Sequence, residues 1–243
     1  IKPQHRIFFQ RDGAVDQLNQ TNEYDFYTLL NASQPVSYTP LKSTHPLYIL
    51  YTSGTTGTPK GIVRDTGGYA TALKFTMKNL YNVNPGDVYW AASDVGWVVG
   101  HSYIVYAPLI HGCTTVLYEG KPVGTPDAGA FWRVIQQHQV NVLFTAPTAI
   151  RAIKKEDFNG SLKQLYDLSS LQHIFLAGER CDPSTLEWLE HLIQKPVIDH
   201  WWQTESGWPM LCIPMGIEPM LVKPGSAGIP VCGFDIQIFD EDA

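Results

Sequence analysis

At 243 residues, 44% of them hydrophobic and 16% charged, the chain is long enough to remove roughly 70–75% of its unfolded surface from water, as an ordinary soluble globular protein does. Its net charge of −6, with no basic stripe, argues against a nucleic-acid partner, and no apolar run approaches the ~18 residues of a membrane span. The four cysteines (Cys113, Cys181, Cys212, Cys232) are scattered with no CxxC and no paired histidines. That pattern fits neither a zinc site nor a disulfide framework. It indicates a reducing compartment, the cytoplasm or, for a eukaryotic source, the mitochondrial matrix, with each cysteine acting as a small buried hydrophobe.

Residues 1–46 carry no distinct pattern and read as a lead-in segment with no assigned function. The apolar run Tyr48–Tyr51 then predicts a buried strand. It opens into nine residues, Thr52 to Lys60, that hold five hydroxyls (Thr52, Ser53, Thr55, Thr56, Thr58), two glycines (Gly54, Gly57), Pro59 and Lys60. Glycines let backbone N–H groups approach an anion, hydroxyls add donors, and lysine adds a point charge, which is the chemistry of a polyphosphate-gripping loop. A Walker A loop would place Ser or Thr directly after the lysine and continue into a helix. Here Gly61 follows Lys60, and Ile62 and Val63 read as strand. A P-loop kinase or GTPase is therefore unsupported.

Beyond the loop, strands predicted at Val88–Ala92, Thr114–Tyr118, Val140–Phe144, His173–Ala177 and Val197–Asp199 alternate with helices predicted at Tyr69–Tyr81, Ala128–His138 and Pro183–Gln194. The last helix has Asp182 as N-cap and Pro183 as its first residue. This order predicts an α/β fold, a mainly parallel sheet flanked by helices. After Trp208 the texture changes to short strands and Pro/Gly turns, a partial β-rich annex at 211–243 following an α/β core at 47–210. Ligands of open α/β sheets bind at strand ends. At one such end, Gly178-Glu179-Arg180, the glycine would let a flat ring approach the backbone. At another, Gln203 and Thr204 offer amide and hydroxyl groups suited to a nucleotide, and Glu205 suits Mg²⁺, which takes few carboxylates together with phosphate oxygens.

The segment TSGTTGTPKG resembles the signature of the adenylate-forming superfamily. SDVGWVVGHSYIVYAPL (Ser93 to Leu109), TAPTAIR, LAGERCD and DHWWQTESGWP narrow the resemblance to short-chain acyl-CoA synthetases. Within that group they are most similar to the propionyl-CoA branch, then to the acetyl-CoA branch. The likeness runs from about Leu47 to the C-terminus and implies an internal fragment of the family's large N-terminal domain. It also implies ATP, Mg²⁺ and coenzyme A as cofactor and co-substrates, and small-molecule partners without nucleic acid or membrane. The catalytic parts fall to Lys60, Thr204 and Glu205. Loop residues Thr52 to Thr58 with Lys60 would bind phosphate. Gly178, Glu179 and Arg180 would lie at adenine, where relatives often carry proline in place of Arg180. Asp199, His200, Trp201, Trp202, Gln203 and Thr204 would line the adenylate pocket, and Glu205 would meet the metal.

Trp202 would wall the acyl pocket opposite Val98 and Val99, with Ala177 as floor. Acetate-specific relatives usually carry larger or more polar residues at one or two of these positions, valine for Ala177 or threonine for Val99, so the resemblance implies a preference for propionate. One methylene is worth only ~1–3 kcal/mol, a preference and not an exclusion. Val99 also stands where acetyl-CoA synthetases use a CoA-contacting threonine, and Val123 where they often have asparagine. His101 could hold a carboxylate or pack beneath the pocket, while Arg151 reads as a pairing residue near the end of its helix. The family's mobile C-terminal domain, with its catalytic lysine, would lie beyond Ala243, so little or no acyl-CoA synthesis is expected of the chain alone. Two other readings stand beside this one, an adenylation domain loading a carrier protein and a non-catalytic nucleotide-binding module.

Overall fold

Period-two alternation sorts the central strands onto two cores. In the computed structural model, which describes residues 3–19, 21–53 and 57–240, the chain divides into two compact units, residues 1–41 and 42–243. In the first unit, β1 (Arg6–Phe8) pairs in parallel with β2 (Glu23–Asp25), and Arg6 bridges Glu23 at 2.8 Å. Helix α1 (Phe26–Ala32) follows, its first turn capped by the Asp25 carboxylate, which accepts from the Thr28 N–H at 2.7 Å.

The second unit opens with an antiparallel hairpin, β3 (Pro46–Thr52) and β4 (Lys60–Asp65), whose register sets Thr52 opposite Lys60. The polyphosphate-type loop is the turn of this hairpin. Its Gly54, Thr55 and Thr56 lie outside the described residues. Helix α2 (Thr66–Asn79) starts three residues earlier than its apolar pattern predicts, because Asp65 caps it, accepting from the Gly68 N–H at 2.9 Å.

Five parallel strands form the main sheet: β5 (Val88–Ala91), β6 (Thr114–Thr115), β7 (Val142–Thr145), β8 (His173–Leu176) and β9 (Val197–Asp199), in the order β6-β5-β7-β8-β9. Strand β6 is shorter than predicted: it lies at the sheet edge and pairs with β5 over two residues only. Residues Tyr89, Val142, Phe144, Phe175 and Ile198 face one core, shared with α2 and a π-helical segment, Gly100–Tyr106, that runs into α3 (Ala107–His111). Their neighbours Trp90, Leu143, Ile174, Leu176 and Val197 face the other core, built with α4 (Ala130–His138), α5 (Pro147–Glu156) and α6 (Pro183–Ile193). Burial on both faces is what parallel strands with helical crossovers require.

Asp182 caps α6 as its sequence position predicts, accepting from Thr185 N–H at 2.9 Å. The π segment and α3 are absent from the sequence reading, and α5 enters it only as the helix of Arg151, which lies in mid-helix and not near its end; none of the three begins with a side-chain cap. Pro108 cannot donate to the carbonyl of Ile104, which accepts from Thr115 Oγ1 at 2.9 Å. The C-terminal annex is sparser than its texture suggested, one antiparallel pair, β10 (Leu211–Cys212) with β11 (Ile229–Pro230). Cys113, Cys181 and Cys212 are buried, but Cys232 is exposed, contrary to the expectation that every cysteine packs as a hydrophobe. No helix of the described residues is long and apolar enough to cross a membrane.

Ile174 is fully buried in a central strand. Replacing it with alanine leaves a cavity in the core shared with α4, α5 and α6, and Ile174→Ala is expected to cost about 2–5 kcal/mol in a denaturant titration. A loss below about 0.5 kcal/mol, the range of surface substitutions, would contradict this packing.

Candidate functional site

The C-terminal ends of β7 and β8, the loop after β5 and the turn after β9 enclose a cavity of about 760 Å³. Ala177 and Gly178 line it, and Gly178 holds φ +105 with open space beside it. A side chain there would be strained by the backbone, not by crowding. Glu179 follows on the wall, drawn by Arg151 of α5 at 2.6 Å; the same guanidinium reaches Asp182 at 3.3 Å.

Val98 and Val99 line the cavity from the loop after β5, and Trp202 lines it from the turn after β9. The Trp202 indole is held edge-on to Tyr103 at 5.5 Å between ring centroids and tilted against Phe144 at 6.2 Å. Gln203, Thr204 and Glu205 complete that wall, and Thr52 and Ser53 reach it from the end of β3. The lining therefore combines apolar groups (Trp97, Val98, Val99, Phe144, Ala177, Trp202) with hydroxyl, amide and carboxylate groups. Among the described residues the side chains of Gln203, Thr204 and Glu205 make no hydrogen bond or ion pair.

Not all the sequence-predicted residues open onto this space. Gly57, Thr58 and Lys60 are exposed on the hairpin, outside the lining, and Gly54, Thr55 and Thr56 fall outside the described residues. Arg180 and Trp201 do not line the cavity either, and Trp201 is instead bridged to Leu211. Asp199 and His200 are buried beneath it. Asp199 accepts from the Cys181 N–H at 3.0 Å, tying the 178–182 loop to β9. His200 donates from Nδ1 to the Leu176 carbonyl at 2.7 Å, and its Nε2 accepts from the Tyr81 hydroxyl at 3.0 Å. His101 packs on Tyr48 at 5.0 Å and bonds the Trp97 carbonyl.

Ser93, Trp97, Thr145, Ala146 and Thr148 also line the cavity without having been singled out from the sequence. Two of the quoted motifs contain them, but small hydroxyl residues at strand ends carry no distinctive signal alone. Arg64 was missed as well. From β4 it donates to the carbonyls of Thr204 and Glu205. Among the described residues no group of three or more His, Cys, Asp or Glu side chains forms a metal cage, so a cation here would depend on Glu205 together with ligand oxygens.

Burial shifts the two buried groups in opposite directions. It raises the Asp199 carboxyl to about 6, against the lowering effect of the Cys181 and His200 N–H groups and the Arg180 charge. It lowers the His200 imidazole to about 4, only partly offset by the Leu176 carbonyl.

The profile of the AMP-binding enzyme family matches residues 3–243. An uncharacterized protein of Pseudomonas aeruginosa is 54% identical over 99% of this chain and 38% of its own length. The rat mitochondrial acyl-CoA synthetase short-chain family member 3 is 52% identical over 99% of the chain and 36% of its own length. A propionate–CoA ligase of Salmonella typhimurium is 45% identical over 99% of the chain and 38% of its own length. The chain thus spans little more than a third of the length of these relatives.

The opposed shifts give a pH test. Asp199 binds a proton more tightly folded than unfolded, so its contribution to stability falls as pH rises from about 4 to 6; His200 binds one less tightly, so its contribution rises from about 4 to 6.5. The two largely cancel. Asp199→Asn should unmask the histidine, and the stability of the variant relative to the parent should rise across pH 4–6, by at most about 1.4 kcal/mol per pH unit. Denaturant midpoints measured across that range check it, and a flat difference would contradict the buried carboxyl.

Proposed function

The chain belongs to the AMP-binding enzyme family, and on that premise we propose that the protein carrying it is an AMP-forming short-chain acyl-CoA synthetase that prefers propionate to acetate. The observation that supports this reading most is that one cavity is lined by Trp202, Val98, Val99 and Ala177 together with Glu205, a carboxylate with no partner among the described residues, and by Thr52 and Ser53 from the strand that leads into the phosphate loop. The names of the rat and Salmonella relatives point the same way.

On this reading a propionate oxygen attacks the α-phosphorus of ATP, pyrophosphate leaves, and the acyl-adenylate forms. The coenzyme A thiol then attacks the acyl carbon and AMP leaves. Trp202, Val98, Val99 and Ala177 surround the alkyl group. Thr52, Ser53 and the rest of the loop, with Lys60, hold the phosphates through N–H, hydroxyl and ammonium donors. Thr204 and Gln203 orient the nucleotide, and the Gly178-Glu179 backbone faces adenine. Glu205 fits Mg²⁺, since it offers hard oxygens and has no partner among the described residues. The metal would neutralise charge accumulating on the departing pyrophosphate. The protein's contribution is positioning and preorganised charge, not covalent chemistry. Because the resemblance sets a catalytic lysine outside these residues, the chain alone is expected to make little or no thioester.

Propionate-dependent exchange of pyrophosphate into ATP by the intact protein tests the reading. Ala177→Val, which refills the acyl floor, should move the propionate-to-acetate ratio of kcat/KM toward acetate by about tenfold or more. An unchanged ratio, or a parent protein at least as specific for acetate, would refute the substrate assignment.

A further inference from the structure

Arg64 takes no part in the reaction as drawn, yet it joins the two segments that part company most widely in sequence around the site. It lies on β4 four residues after Lys60, on the same side of the strand because side chains alternate. Its guanidinium donates to the Thr204 carbonyl and, at 2.7 Å, to the Glu205 carbonyl. It also sits 5.8 Å from the ring centroids of both Tyr69 and Trp208. Gly207 lies flush against it, since a Cβ at that position would come within 2.8 Å of the guanidinium.

A second anchor holds the same turn. Ser102 of the π segment donates to the Gly207 carbonyl at 2.7 Å, and its oxygen lies 2.6 Å from the Tyr69 hydroxyl, which in turn accepts from Tyr48 of β3 at 3.0 Å. Within the turn, Ser206 Oγ lies 2.9 Å from the Trp208 carbonyl and 3.0 Å from that of Gln203, and its one proton can serve either. Side chains thus capture the carbonyls of residues 204, 205 and 207, and that of 203 or 208, while the side chains of Thr204 and Glu205 remain free to face the cavity.

We propose that Arg64 is a positioning residue for the adenylation step: it clamps the 204–205 backbone to the hairpin that carries the phosphate loop, fixing the Glu205 carboxylate relative to Lys60. This rests on the adenylation reading given above. Arginine suits the task better than lysine, because its Nη2 donates to both carbonyls while the flat guanidinium packs beside Tyr69 and Trp208 at once. Loosening the clamp should therefore weaken the hold on the metal–triphosphate and leave the acyl end untouched, as the loss of a group supporting a metal ligand does elsewhere.

The test uses the intact protein with Arg64→Met and Arg64→Lys. Pyrophosphate exchange is titrated with Mg²⁺, and amide hydrogen exchange over residues 203–208 is followed without ligand. Arg64→Met should raise the Mg²⁺ needed for half-maximal rate roughly ten- to hundredfold, leave the KM for propionate unchanged, and speed exchange at 203–208. Arg64→Lys should shift both readouts the same way by less, and it serves if the methionine variant does not fold. A folded variant with parental metal requirement and parental exchange at 203–208 would overturn the proposal. So would a general loss of stability with no change confined to the metal requirement. If the unaltered protein shows no propionate-dependent exchange, the adenylation reading fails by itself, and the amide-exchange comparison still decides whether Arg64 holds the turn.

Discussion

One neutral imidazole carries much of the site. His200 follows the last residue of β9, and both its backbone N–H and its Nδ1 bond the carbonyl of Leu176, the last residue of β8. Nε2 then remains as an acceptor for the Tyr81 hydroxyl, just beyond the end of α2. The ring is caged by Phe144 at 4.9 Å and by Phe175 and Tyr81, each at 5.7 Å. Burial keeps it uncharged near neutral pH. The chain therefore leaves the sheet at a fixed point and in a fixed direction, and Trp202 emerges into the cavity two residues later.

From that point the site is assembled by convergence. Parallel strands end together on one side of the sheet, so the segments after β5, β7, β8 and β9 share a single cavity. The antiparallel hairpin is a separate sheet, and Arg64 and the Tyr48–Tyr69–Ser102 chain attach it to the turn after β9. A chain of net charge −6 has no general attraction for a triphosphate. On the proposed reading, anion binding would have to come from local donors, and the loop that β3 leads into, with Lys60, is where the sequence concentrates them.

Much of this was legible in the sequence because the central strands bury both faces. Runs such as Val142–Thr145 and His173–Leu176 are continuously apolar or nearly so, and polar caps such as Asp182 mark where a helix begins. The segment from Gly100 to His111 was not legible, and for Pro147 to Glu156 only the presence of a helix at Arg151 was, not its bounds. Neither starts with a side-chain cap, and a π-helical turn lacks the 3.6-residue period that reveals a helix. Thr114–Tyr118 reads as a full strand, but at the sheet edge only its first two residues find partners. Cavity-lining residues stood out where unusual types cluster, as at Thr52-Ser53 and Trp202-Gln203-Thr204-Glu205, although the same clusters hold Lys60 and Trp201, which do not line the cavity. Arg64 gave no signal, because its partners lie 140 and 141 residues away. The burial of Asp199 and His200 beneath a motif that otherwise faces the cavity is likewise a matter of strand register, which the motif does not state.

On the proposed function, a carboxylate oxygen bonds to the α-phosphorus of ATP in this cavity as pyrophosphate leaves. The most direct measurement supplies propionate labelled with ¹⁸O in both carboxylate oxygens, together with ATP and coenzyme A, to the intact protein, and determines the mass of the nucleotide product. Attack by a carboxylate oxygen on phosphorus, followed by thiol attack on carbon, leaves that oxygen with the nucleotide, so AMP heavier by one ¹⁸O is predicted. Unlabelled AMP, or ADP and phosphate as the products, would contradict the account.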